Sequence, residues 1–363
     1  MSKNDIELDY TMPQLLKALV DQGGSDLHIS SYSPPRFRVD GELVPLEVED
    51  LTPEHTKQLC YSILTEDQKR QVEEEYELDL AFGIKGIARF RANIYRQKGS
   101  VNGAFRVISS NMPQLEKLNL PPIIKTIIES PRGLFLVGGP TGSGKSTSLA
   151  AIINYINERR KCHIMTIEDP IEYVHQHKKA LITQRELNAD TKSWENALKS
   201  SLRQDPDIIM VGELRDQKTI AHAITAAETG HLVFGTLHTN SSIGALNRII
   251  DVFPSHQQSQ IRTQLSFSLI GVLTQSLLTS LRSGRVLALE LMVPNTAIRS
   301  MIREDKLHNI YTAMQVGQDE SGMITLNQTL LNLYRKRHIS KSKAMSTAYE
   351  KNEMEEMISK YSA

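Results

Sequence analysis

Cysteine is almost missing: the 363 residues contain two, Cys60 and Cys162. Two isolated thiols cannot build a Cys-rich zinc site, and their scarcity suits a reducing cytoplasm better than a secreted, disulfide-stapled scaffold. An excess of one charge is missing too. Lys and Arg total 42 and Asp and Glu total 42, a formal net charge of zero. A dedicated non-specific DNA binder would carry a basic excess to neutralise phosphates. No apolar run approaches the roughly 20 residues that cross a bilayer. Residues 1–7 are acidic and polar, without the apolar centre of a signal peptide. What remains is a globular composition, 40% apolar and 23% charged, able to bury a core. At about 150 residues per domain the length predicts two domains or three.

The first third reads as a small α+β domain. Residues 13–21 suggest a helix stopped at Gly23-Gly24, and 25–30, 36–39 and 42–46 suggest short strands, with Asp40-Gly41 as a hairpin turn. Thr52-Pro53-Glu54 opens a helix, because Thr is a good N-cap and Pro is tolerated at the first helical position. A second helix follows over 66–75. Residues 88–95 alternate, with Arg89, Arg91, Asn93 and Tyr95 on one face and Phe90, Ala92 and Ile94 on the other, which is strand periodicity. Another strand spans 103–108. Residues 111–122, bracketed by Met112-Pro113 and Pro121-Pro122, have no clear period, as in a linker. The expected division is 1–111, a linker at 112–122, and 123–363.

From Ile123 strands and helices alternate, the pattern of a parallel α/β sheet. Strands are expected at 134–137, 163–167, 208–211 and 231–237. Between them lie helical stripes such as Leu149, Ile152, Ile153 and Ile156, and Ile220, Ala223, Ile224 and Ala227. Trp194 falls on another apolar stripe and reads as core. Ile261, Leu265, Leu269, Val272, Leu273 and Ser276 follow a 3.6 period and predict one long helix. The last 70 residues or so read as mostly helical.

The chemistry concentrates in this second part. Gly139-Pro140-Thr141-Gly142-Ser143-Gly144-Lys145-Ser146 matches G-x-x-x-x-G-K-[ST], between an expected strand and an expected helix. Glycines let backbone N–H groups converge on phosphate oxygens, and the helix N-terminus adds a positive dipole end. Lys145 would reach the β- and γ-phosphates, and the Ser146 hydroxyl would hold Mg²⁺. Pro140, Thr141, Gly142, Ser143, Gly144, Lys145, Ser146 and Thr147 are thus candidates for binding ATP. Residues 207–211 form an apolar run leading to Gly212-Glu213, where Gly212 stands in place of the usual Asp. Glu213 is the candidate acid for the Mg²⁺ hydration shell; the alternative is a carboxylate that caps the next helix. Glu168, Asp169 and Glu172 cluster after residue 167, and crowded carboxylates repel unless a cation or a reaction uses them. Glu172 is the candidate that polarises the attacking water, against a mere turn cap. His231 and His238 bracket a strand, and with Thr236 and Thr239 they are candidates to sense the γ-phosphate, against ordinary structural histidines. Arg89, Arg91, Arg96 and Arg106 are arginine-finger candidates, against a solvated basic strand face.

These pieces together resemble the secretion/pilus ATPase superfamily and, within it, the type IV pilus retraction ATPases. The resemblance is carried by Gly24-Ser25-Asp26-Leu27-His28, Arg38-Val39-Asp40-Gly41, the phosphate loop, Thr166-Ile167-Glu168-Asp169-Pro170-Ile171-Glu172, the Asp205-to-Asp216 stretch and the His-containing run from Thr225 to Thr239. It covers nearly the whole chain. It implies a PAS-like N-terminal α+β domain followed by a RecA-like P-loop domain with a helical C-terminal region. It also implies a hexameric ring with ATP at domain and subunit contacts, Glu172 as catalytic acid, Glu213 as Walker B acid, and γ-phosphate contacts from the first-domain arginines. In the family Gly-Glu is the normal Walker B ending. The implied function is an ATP-hydrolysing motor for pilus retraction and twitching motility. Such a motor works in the cytoplasm, peripheral to the inner membrane at the pilus base, and acts on a platform protein there. Other pilus ATPases are further candidate partners, and no nucleic acid is implied. Residues 297–304 resemble the retraction signature A-I-R-N-L-I-R-E and depart from it at Ser300 and Met301; Gly138 and residues 240–247 also depart. Two cysteines and a short N-terminal region speak against the extension ATPases, which carry a four-cysteine metal site. The rival readings are an accessory pilus ATPase and a nucleic-acid motor on the same core.

Overall fold

The computed structural model describes residues 8–108 and 112–362; the polar stretch 1–7 and the expected boundary at 111 lie outside the described residues. The described chain forms two compact units. One comprises residues up to 108 together with Pro170–Val174, and the other comprises 112–169 and 175–362.

The first unit carries α1 (Met12–Asp21), β1 (Asp26–Ile29), β2 (Arg36–Val39), β3 (Glu42–Pro45), α2 (Pro53–Tyr61), α3 (Glu66–Glu75), β4 (Glu77–Ile84), β5 (Ala88–Gln97) and β6 (Ser100–Ile108). Side chains start the helices where the sequence offers them: Thr52 accepts from the His55 N–H and Thr65 from the Gln68 N–H. Asp40 and Gly41 both take positive φ, 51° and 89°, which turns β2 tightly into β3. The sheet is antiparallel in the order β3-β2-β1-β6-β5-β4. Leu27, Phe37, Phe90, Ala92, Ile94 and Phe105 are buried with Leu16, Leu19, Leu59 and Val72 from the helices. Strand alternation then puts the polar side chains on the other face. In register across four strands, Arg38, Asp26, Arg106 and Arg91 form one row of that face. Strand β4 was not anticipated, although Glu77-Leu78-Asp79-Leu80 alternates; it follows α3 with only Tyr76, in the left-handed region at φ 64°, between them.

The second unit contains α4 (Ile123–Ile127), β7 (Gly133–Gly138), α5 (Lys145–Arg159), β8 (His163–Glu168), β9 (Leu181–Glu186), α6 (Trp194–Ser201), β10 (Ile208–Val211), α7 (Gln217–Glu228), β11 (Leu232–Leu237), α8 (Ser242–Asp251), α9 (Ser255–Ser268), β12 (Leu269–Thr279) and β13 (Arg285–Met292). Short helices follow: α10 (Thr296–Arg303), α11 (Ile310–Met314), α12 (Gln318–Ser321), α13 (Leu326–Arg335), α14 (Lys341–Thr347) and α15 (Lys351–Ser362). The sheet order is β13-β12-β7-β11-β10-β8-β9, parallel except for β13 at the edge. Helices cover both faces. Leu134, Leu136, Ile209, Val211 and Val233 pack with α6 to α10, while Phe135, Val137, Ile164, Met210 and Phe234 pack with α4 and α5.

Strands sandwiched in this way read as unbroken apolar runs, and that explains one wrong expectation. The period from Ile261 to Ser276 is not one helix: α9 ends at Ser268 and β12 begins at Leu269. Leu269, Val272 and Leu273 are buried between two helical layers, so no polar face betrays the period of two. Strands β9 and β13 were also missed.

Central packing carries the stability of this unit. Phe234 and Phe135, on adjacent strands, meet edge to face with ring centroids 6.0 Å apart. Phe234→Ala is expected to cost about 3–5 kcal/mol and to lower the urea midpoint of the nucleotide-free protein; an unchanged midpoint would contradict this account of the core.

Candidate nucleotide site

Strands β7, β11, β10 and β8 run parallel in register, so their C-terminal ends lie along one edge of the sheet, where open α/β sheets bind ligands. The loop 139–146 leaves β7 at that edge and enters α5. Its glycines, and Gly138 before it, answer to space or to backbone conformation. A Cβ on Gly138 would stand 2.8 Å from Thr274 Cγ2 and 2.9 Å from Thr239 Oγ1. On Gly139, at φ 145°, a Cβ would meet the Gln275 carbonyl oxygen and Ser143 Oγ. Gly142 and Gly144 take φ of 77° and 92°, which favours glycine. Lys145 folds back on its own loop, donating to the carbonyl oxygens of Gly139 at 2.7 Å and Pro140 at 3.1 Å. Ser143 is buried, and its hydroxyl has no hydrogen-bond partner among the described residues. Ser146 and Thr147 are half-buried on the first turn of α5, whose opening amides have no intrahelical acceptor. A loop of converging amides, a retractable ammonium and an unsatisfied hydroxyl fit a polyphosphate.

Glu213 follows β10 at the same edge. Its carboxylate pairs with Arg215 Nη2 at 2.8 Å, and His238 Nε2 lies 3.5 Å away. Burial, the largest influence, pushes the Glu213 carboxyl up, but Arg215 and His238 outweigh it and hold the group below the usual glutamate range. The acid is therefore a carboxylate at neutral pH. Gly212 has a steric reason. A Cβ there would lie 3.1 Å from the Ile167 carbonyl oxygen, 3.3 Å from Glu168 Cα and 3.3 Å from the Trp194 ring. The turn is pinned to both neighbours: the Gly212 N–H donates to the Ile167 carbonyl, the Leu214 N–H to the Thr236 carbonyl, and the Thr236 hydroxyl to the Gly212 carbonyl.

Glu168 ends β8 at this edge but is buried, accepting from the Thr166 hydroxyl at 2.7 Å and Gln184 Nε2 at 3.1 Å. Asp169 is exposed, and its charge acts on Arg215. Glu172 is exposed in Pro170–Val174, the short segment grouped with the first unit. His231 is not brought to the phosphate loop. It precedes β11 at the opposite end of the sheet, where its carbonyl accepts from the Gly133 N–H and its Nδ1 lies 3.0 Å from the Ala226 carbonyl. A strand of six residues, at about 3.3 Å each, separates it from His238.

The first-unit arginines differ in freedom. Arg106 Nε is bonded to Asp26 at 2.7 Å, and Arg96 pairs with Glu73 while stacking over Tyr76 at 4.8 Å. Arg89 is half-buried. Arg91 is exposed and has no ion pair among the described residues. Arg215 was given no role from the sequence. Its signal was its place two residues after Glu213, and only the fold shows that it sets the charge of that acid.

The type II/IV secretion system protein family matches residues 3–359. The chain belongs to this family. It is 46% identical over 335 residues to the type IV pilus "retractation" ATPase PilT of Pseudomonas aeruginosa, covering 92% of this chain and 97% of that one. It is 44% identical over 346 residues to a twitching motility protein of Neisseria gonorrhoeae, covering 95% and 92%. A crystal structure of the pilus retraction motor PilT with bound ADP superposes with a TM-score of 0.91 at 46% identity, covering 96% of this chain and 100% of that one. As a secretion-family member of this kind, the chain is an ATPase with the expected architecture, a PAS-like N-terminal domain and a RecA-like P-loop domain with a helical C-terminal region. Among the described residues, no helix is long and apolar enough to cross a membrane. Nor do three or more His, Cys, Asp or Glu side chains among them form a metal-holding group.

Two outcomes follow for the secretion-family ATPase. Arg215→Ala removes the charge that holds Glu213 down, so burial raises its pKa and the acid limb of the kcat/KM profile moves to higher pH; an unmoved limb would show that this pair does not govern the acid. Gly212→Asp, the usual Walker B residue, is expected to destabilise the fold by about 1–3 kcal/mol, read from thermal unfolding without nucleotide; wild-type stability would refute the steric account.

Proposed function

We propose that the chain is an ATP-driven motor of type IV pilus retraction. The observation that carries this reading is the meeting, at one sheet edge, of the phosphate loop and the Gly212-Glu213 turn, in a chain similar over nearly its whole length to a pilus retraction ATPase and a twitching motility protein. Lys145 gives up the carbonyls of Gly139 and Pro140 for the β- and γ-phosphates of ATP. The loop amides and the first turn of α5 hold the phosphate oxygens, with Pro140, Thr141, Gly142, Ser143 and Gly144 forming the cradle and Thr147 closing it. Ser146 and Glu213 fit a Mg²⁺ ion through a hydroxyl and a carboxylate, and the ion supplies neutralisation of phosphate charge. His238, beside Glu213, responds to the γ-phosphate end. Glu172 polarises the attacking water.

An arginine on the developing charge is worth much in phosphoryl transfer. Arg91 is the best supported of the candidates, because Arg96 and Arg106 are already bonded to carboxylates. The motor works as a homohexamer in the cytoplasm, peripheral to the inner membrane at the pilus base. Its domains, divided near 112–122, open and close with hydrolysis and pass that motion to a platform protein.

Lys145→Ala, Glu172→Gln and Glu213→Gln are each expected to leave a folded protein with turnover lowered at least about 100-fold. Steady-state phosphate release, with solution mass measured alongside, checks this. Wild-type turnover in any one of them removes that residue's role, and a wild-type protein without ATPase activity removes the motor.

A further inference from the structure

The strand beside the phosphate loop presents one polar side chain that the mechanism above does not use. In β12, Thr274 is the register partner of Gly138, so the next residue, Gln275, lies alongside Gly139 where the loop begins. Its backbone carbonyl and Ser143 Oγ both occupy the place a Cβ on Gly139 would take. Its side chain reaches the helix that follows the loop: Gln275 Nε2 donates to Ser148 Oγ of α5 at 2.9 Å, across 127 residues of sequence. Gln275 is 3% exposed and Ser148 2%. With Ser143, Gly144 and Thr147 they border a cavity of about 1040 Å³.

A buried primary amide is unfavourable beside an apolar side chain of similar size unless its hydrogen bonds are needed. Here the residues on the same face of the strand, two before and two after, are Leu273 and Leu277, and a leucine at 275 would suit that face as well. Moreover, Gln275 Oε1 has no hydrogen-bond partner among the described residues. A half-satisfied buried amide calls for an explanation, and its one bond goes to the helix that opens the nucleotide site.

We propose that Gln275 is a positioning residue for nucleotide binding: it fastens the first turn of α5, directly after the phosphate loop, to the strand against which the loop begins. The loop amides then converge before the phosphates arrive, so less ordering remains to oppose binding. The inference rests on the nucleotide reading given above and adds to it a residue that touches no phosphate.

The test uses the full-length chain with a fluorescent ADP analogue. Gln275→Leu removes the amide at similar volume, Ser148→Ala removes the same bond from its other end, and the double variant removes both partners. Each single variant is expected to raise the analogue's Kd about tenfold, the equivalent of one lost hydrogen bond. The double variant should be no weaker than the weaker single, since the same bond is lost. A purely structural residue would lower the thermal midpoint of the nucleotide-free protein while leaving Kd unchanged. Wild-type Kd in both singles, or losses that multiply in the double, overturns the proposal. If Gln275→Leu fails to fold, Ser148→Ala alone decides by the same tenfold criterion. A wild-type protein that does not bind the analogue would instead refute the nucleotide reading itself.

Discussion

A polyphosphate can be gripped by backbone alone only if successive amides point at one place, and that demands a loop held rigid from behind. In this protein the support is steric. Gly138 and Gly139 leave no room for a Cβ against Thr239, Thr274 and Gln275, so the end of β7 and the start of the loop pack tightly against β12 and the residues that follow β11. Most other features of the site follow from that contact. The lysine has carbonyls to rest on, and α5 begins directly where the loop ends.

The same close packing accounts for the acid. Gly212 lies close against the end of β8 and Trp194, so that a Cβ there would crowd both at 3.1–3.3 Å, and the carboxylate stands one residue on, at Glu213. At that position the group is only partly buried, and Arg215 and His238 decide its charge rather than burial. Electrostatics of the opposite kind mark the first unit. Across its sheet Asp26 lies between Arg38 and Arg106, at 3.7 Å and 2.7 Å. Two of the guanidiniums in that row are therefore committed to structure, and Arg91 stands at its end unpaired among the described residues.

How far the site could be read beforehand depended on the range of the interactions involved. The phosphate loop, the Glu213 turn and the strands β7, β8, β10 and β11 were legible because glycine spacing and apolar runs are local signals. The transition from α9 to β12 was not, because a strand covered on both faces loses its alternation and its leucines mimic a helical stripe. His231 and His238 were read as bracketing a strand and both as candidates for the nucleotide, yet a strand places its two ends at opposite edges of a sheet.

Local chemistry, then, determined that the chain would hold a nucleotide-type loop between a strand and a helix, with an acid after a second strand. The spacing of backbone donors is written in consecutive residues. Only the tertiary structure decided the strand order that puts β12 against β7, Arg215 and His238 against Glu213, and Gln275 against Ser148. All of these but the Arg215–Glu213 pair join residues far apart in the chain, and their energies depend on burial and on facing partners, which no local pattern encodes.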